Sequence, residues 1–121
     1  MGGLVMRDFK KLMIWKNGME IAQESYRIVS AWPSFEKYTL GNQILRAAVS
    51  IPSNIAEGNG RFSERDKKRF MEIALGSSFE LETQLIISGN IDVYDKEIVE
   101  RLILKIREEQ KLLSGFIDKL N

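Results

Sequence analysis

The polar residues within the stretch RAAVSIPSNIAEGNGR (46–61) are the first candidates for chemistry. On a helix, Gln43, Arg46, Ser50, Ser53, Asn54 and Glu57 fall on one narrow stripe, and Glu80, Thr83 and Gln84 form a counterpart further along. Glu57 and Glu80 would suit acid–base work if they converged. A serine nucleophile needs a base; the chain has no histidine, and no lysine stands at helical spacing from Ser50 or Ser53. The lack of histidine and cysteine also excludes thiol catalysis, disulfides and imidazole or thiolate metal sites. A di-metal carboxylate centre in a helical bundle would want Glu-x-x-His pairs, which are missing. Gly58-Asn59-Gly60 is no phosphate loop, because it follows a helix and lacks a downstream Gly-Lys-Ser. The stripe therefore reads as a structural polar seam made of Gln43, Arg46, Ser50, Ser53, Asn54, Glu57, Arg61, Glu80 and Gln84. In that reading Arg46 and Arg61 pair with Glu57, Glu80 or Glu82, and Pro52 leaves the carbonyl of Ala48 free for nearby hydroxyls. No catalytic residue, cofactor or metal is assigned, and the chain is expected not to be an enzyme.

Four helical runs are expected to position these residues, over about 8–31, 39–58, 63–89 and 95–120 of a single 121-residue domain. Pro33 stops the first run, and 34–38 is a connector with room for one helical turn. Thr39 is the expected cap of the second run, which ends in Gly58-Asn59-Gly60 in left-handed conformations. Ser63 with Asp66 resembles a capping box, Gly89-Asn90 closes the third run, and Asp95 caps the fourth. Similar lengths and short loops predict an all-α, up-down-up-down antiparallel four-helix bundle, its second helix perturbed or kinked at Pro52.

The apolar spacing predicts one core stripe per run. These are Leu12, Trp15, Met19, Ala22, Tyr26 and Val29; then Leu40, Ile44, Ala47, Ile51 and Ile55; then Phe70, Ala74, Ser77, Leu81 and Leu85; and finally Ile98, Leu102, Ile106, Leu113, Phe116 and Leu120. Further apolar residues lie off these stripes: Ile14, Ile21 and Ile28; Leu45, Val49, Pro52 and Ala56; Met71, Leu75, Phe79 and Ile86. That surplus exceeds what a lone bundle buries, and soluble monomers avoid large apolar patches. A homo-oligomer is expected, with Ile14, Ile21, Ile28, Leu45, Val49, Pro52, Ala56, Leu75 and Phe79 at its interface.

The net charge is +1, from 18 basic and 17 acidic side chains, so no global field draws nucleic acid or membrane. Basic residues nevertheless cluster at Arg7, Lys10 and Lys11 and at Arg65, Lys67, Lys68 and Arg69. Repeated round an oligomer, these form a positive rim suited to RNA or DNA phosphates. The acidic stretch around Asp92–Glu100 offers a surface for a protein partner instead. No apolar run spans a bilayer and no signal core opens the chain, so a cytoplasmic protein without a membrane partner is expected.

RAAVSIPSNIAEGNGR, with RFMEIALGSSFELETQL (69–85), IWKNGMEI (14–21) and YTLGNQILRAA (38–48), resembles the 23S rRNA intervening-sequence protein family. The resemblance runs from about Phe9 to Ile117. It implies a bacterial up-down four-helix bundle that assembles as a homopentameric ring, encoded within an intervening sequence of a 23S rRNA gene, with no agreed catalytic residues. The related accessory variability determinant protein of diversity-generating retroelements shares the fold and the pentamer, and it binds nucleic acid and a reverse transcriptase through a basic surface. This chain departs from it in being nearly neutral.

Overall fold

A computed structural model of the chain describes residues 8–91 and 95–120. Among them the structure is all-α, with no strand. After a 3-10 turn at Phe9–Lys11 come α1 (Met13–Ser30), α2 (Ser34–Tyr38), α3 (Leu40–Asn59), α4 (Glu64–Asn90) and α5 (Lys96–Asp118). The main contacts join α1 to α3 and α5, α3 to α4, and α4 to α5, giving a helical bundle around one core. No helix of the described residues is long and apolar enough to cross a membrane.

The caps explain most boundaries. Ser63 Oγ accepts from the Asp66 amide at 3.1 Å, and Asp95 Oδ1 accepts from the Glu97 amide at 3.0 Å. Asp8 does the same for Lys10 ahead of the 3-10 turn. The expected first run is thus broken at Leu12, whose extended backbone separates the turn from α1. Thr39 precedes α3 but does not cap it; its hydroxyl donates backwards to the Phe35 carbonyl at 2.7 Å, closing α2.

The end of α3 also differs from expectation. Gly60 is right-handed (φ −84°), and α3 continues through Gly58 to Asn59. Gly58 is required by packing: a Cβ there would lie 2.7 Å from Phe70 Cβ, so α3 and α4 meet backbone to side chain at this point. Pro52 lies inside α3, which runs as one helix through it.

The largest correction concerns α1. Ile14, Ile21 and Ile28, expected on an outward interface, are buried in the chain's own core. Trp15 and Met19 are only half-buried, and Tyr26 is 53% exposed. The true core face lies about a quarter turn away from the expected one. Asn17, Gly18 and Ser25 stand among the three isoleucines and are also buried, so this face looks mixed in the sequence while the aromatic face looks purely apolar. Ser25 satisfies its hydroxyl on the Ile21 carbonyl at 2.8 Å. Ser78 and Ser88 do likewise on Leu75 and Leu85 within α4.

Candidate functional site

The expected polar seam divides between two faces of α3. Ser50 Oγ lies 2.8 Å from Ser77 Oγ across the α3–α4 contact, and Asn54 Nδ2 donates to the Ser50 carbonyl and Oγ at 2.8 and 2.9 Å. The small residues Ala47, Ala48, Ala74 and Ser78, all buried, let the helices approach. Gln43, Arg46, Ser50, Ser77 and Glu80 line a shallow polar cavity over this contact. Arg61 Nη2 reaches Glu57 Oε2 at 2.7 Å, whereas Glu82 turns to α5 and binds Arg107 and Gln110. Ser53 faces the α1 side instead, and Gln84 is buried with its Oε1 unpartnered.

Glu57 and Glu80 do not come together. Gly58 lies against Phe70 and Ser50 against Ser77, which places the two carboxylates on opposite sides of the serine contact. At 1.5 Å per residue they are about 15 Å apart along the helices. Among the described residues no group of acidic side chains is arranged to hold a metal. Replacing Ser50 by alanine removes the two hydrogen bonds of its hydroxyl at a half-buried site and should cost about 1 kcal/mol in thermal or urea denaturation. Ser77→Ala should cost a similar amount, and the double variant less than the sum.

An apolar groove of about 510 Å³ runs between α1 and α3. Trp15, Met19 and Tyr26 form one wall, Val49 and Ala56 the other, and buried Pro52 the floor. Of the expected interface residues, Val49 is 41% exposed, Ala56 is half-buried, and half-buried Leu45 joins Tyr26 and Arg46 in an adjoining cavity. The groove was legible as surplus apolar surface, but its α1 wall was assigned to the core and the core isoleucines to the surface. Phe79, 51% exposed, and half-buried Leu75 sit elsewhere: with Ile86 they fall within about 40° of one another on α4, on the flank from which Glu82 reaches α5.

The basic residues share one end of the bundle. Gly41 meets Val29 and Gly18 meets Pro52, so residues of α1 and α3 pair in opposite order and the 3-10 turn with Lys10 and Lys11 falls level with residues 59–61. Arg61 and Arg69 place their guanidinium carbons 4.7 and 4.6 Å from the Phe70 ring centre. Arg69 also approaches Asp66 at 4.0 Å, and Lys67 Nζ donates to the Asn59 carbonyl at 3.3 Å. Arg65 is exposed and Lys68 half-buried, without an ion partner among the described residues, and Phe62 beside them is 93% exposed. Arg7 and Asp92 lie outside the described residues. Asp95, Glu97 and Glu100 are exposed at the start of α5. Lys105 opposite Glu20 at 2.7 Å, and Glu109 opposite Asn17, put that start level with the end of α1, at the pole away from the basic cluster.

One functional group escaped the sequence reading. Glu109 is fully buried on α5; Asn17 Nδ2 donates to its Oε1 at 3.1 Å, and its Oε2 has no partner. A Cβ on Gly18 would stand 3.1 Å from that Oε2 and 3.5 Å from Pro52 Cβ. Burial pushes the carboxyl up from the usual 4.5 to about 7; the Asn17 hydrogen bond and Lys105 oppose this, and Glu108 adds to it. The available signal was the stripe Leu102, Ile106, Leu113, which skips a turn where Glu109 stands.

An all-helical bundle with an apolar groove on one side defines the class. The chain belongs to the family described as 23S rRNA-intervening sequence protein, whose model matches residues 10–115. A crystal structure of a protein of unknown function from the S23 ribosomal protein family of Bacteroides thetaiotaomicron has the same fold. It superposes with a TM-score of 0.79 at 24% identity, over 88% of this chain and 100% of that one. No curated protein matches the chain.

Proposed function

We propose that this chain is a non-enzymatic cytoplasmic scaffold: a four-helix bundle of α1, α3, α4 and α5 running up-down-up-down, disturbed at Pro52, that closes into a homopentameric ring. The observation that carries this reading is the α1–α3 groove together with the exposed Phe79 flank of α4. A groove and a ridge on different faces of one chain suit a head-to-tail contact, and such contacts close rings. Light scattering tests it. The wild type should exceed the 13.9 kDa of one chain several-fold, and Val49→Glu with Tyr26→Glu should reduce it to that mass. A wild-type monomer would overturn the reading.

The basic end is the proposed seat for RNA or DNA phosphates, and the family's printed link to 23S rRNA makes structured RNA the first ligand to try. Lys67 and Arg69 are engaged in the fold, which leaves Arg65 and Lys68 as the contacts to remove. Arg65→Glu with Lys68→Glu should weaken a gel shift at least tenfold at ~50 mM salt while leaving the helical signal intact. Equal affinity would sink this half of the proposal. A protein partner at the acidic pole is the alternative, supported by the position of Asp95, Glu97 and Glu100 opposite the basic end.

A further inference from the structure

We propose that Glu109 is a proton-operated latch behind the α1–α3 groove, which holds the groove floor closed when neutral and loosens it when ionised. This rests on the groove being the docking face only for its effect on assembly; the latch itself is a property of one chain.

The geometry makes the connection local. Glu109 Oε2 is buried without a hydrogen-bond partner, and the α1 residue covering it is Gly18, which has no side chain to interpose. Pro52 Cβ approaches that same point, and Pro52 is also the groove floor. Met19, next to Gly18 on α1, stands in the groove wall. A neutral carboxyl tolerates this position. An ionised one demands water or a donor, since an uncompensated buried charge is far more costly than a buried neutral group. Gly18 has no side chain to block water there, and water admitted between Gly18 and the Ile51–Pro52 contact separates α1 from α3 along the groove.

No neighbour cancels the charge. α1 presents the Asn17 amide, already used on Oε1, and Glu20, which occupies Lys105 at 2.7 Å. α5 presents Lys105 and Glu108, of opposite sign. α3 presents Ile51 and Pro52 at the Gly18 contact, and on α4 Glu82 is engaged with Arg107 and Gln110. The upward displacement of the Glu109 carboxyl puts the transition near neutrality.

The test uses the intact chain with carbon-13 methionine methyl groups, recorded from pH 5.5 to 8.5, in wild type and Glu109→Gln. That substitution keeps the shape and the acceptor for Asn17 and cannot ionise. The Met19 methyl should shift with a midpoint near 7 in the wild type and stay flat in Glu109→Gln. Buried Met71, which abuts Gly58 on the α4 side, should not respond in either. A flat Met19 in the wild type, or the same titration in the variant, overturns the latch. Sedimentation on the same samples separates the two readings: association should weaken about tenfold from pH 6 to pH 8 in the wild type alone. A monomer at both pH values with a titrating Met19 removes the docking reading and keeps the latch. A pH-independent oligomer with a flat Met19 removes the latch and keeps the docking.

Discussion

Wild-type protein is expected to lose about 3 kcal/mol of stability to Glu109 between pH 4.5 and pH 7, and Glu109→Gln is expected to lose none by this route. The carboxyl titrates at about 7 in the folded chain against an ordinary 4.5. Across that interval the folded state holds a proton that the unfolded state has released, so stability falls as pH rises through it and levels off above it. About 2.5 pH units at 1.36 kcal/mol each set the size. Glu82 acts in the opposite sense: its hydrogen bond from Gln110 chiefly, and Arg107 with it, lowers its pKa, so its contribution is present above the ordinary value and fades as pH drops below it. Urea midpoints at pH 5, 6, 7 and 8 for the two proteins give the difference directly. A wild type as stable at pH 8 as at pH 5, relative to the glutamine variant, would show that Glu109 is solvated or paired. Glu109→Leu should be more stable than the wild type at pH 8, because an apolar replacement removes an uncompensated charge from the core.

The second large effect separates two glycines by sign. Gly58→Ala should destabilise by about 1–3 kcal/mol, because the new methyl would sit 2.7 Å from Phe70 Cβ and 3.3 Å from Met71 Cε. Phe70 Cβ is fixed to the backbone of α4, so relief requires the two helices to part. Gly76→Ala should stabilise by up to about 1 kcal/mol, since it lies within α4 with nothing within 4 Å of the added carbon. Thermal denaturation of both variants is sufficient. A Gly58→Ala protein as stable as its parent would mean that α3 and α4 are less tightly apposed than described.

The long helices were readable because their signals are local. Ser63 and Asp95 cap as expected, and Pro33 separates α1 from the rest. The faces were less readable, because burial is decided by neighbours. On α1 the polar Asn17 and Ser25 are interior, satisfied by Glu109 and by the Ile21 carbonyl, so the apolar residues of the buried face are interrupted by polar ones. A purely apolar periodicity therefore points at the wrong quarter of that helix. Ser50 and Asn54 were legible as polar groups at helical spacing, whereas Ser77, which meets Ser50, stood in the expected core stripe of its helix. Glu109 was not legible, since its partner Asn17 lies 92 positions away and the gap it fills in the stripe of α5 looks like an ordinary exposed turn. The right-handed Gly60 has the same cause in miniature: Gly58 is a glycine for the sake of Phe70, not for the chain's own turn.

The two indoles of α1 and its end have an optical consequence. Trp32 is buried at one pole, while Trp15 stands half-buried in the groove wall with the Phe9 ring edge-on at 5.3 Å. Their emission therefore reports two different places: one the integrity of the core, the other the dryness of the groove. Trp32→Phe leaves a chain whose remaining fluorescence turns blue when the groove is filled, so occupancy is readable by eye of the spectrometer with no label attached.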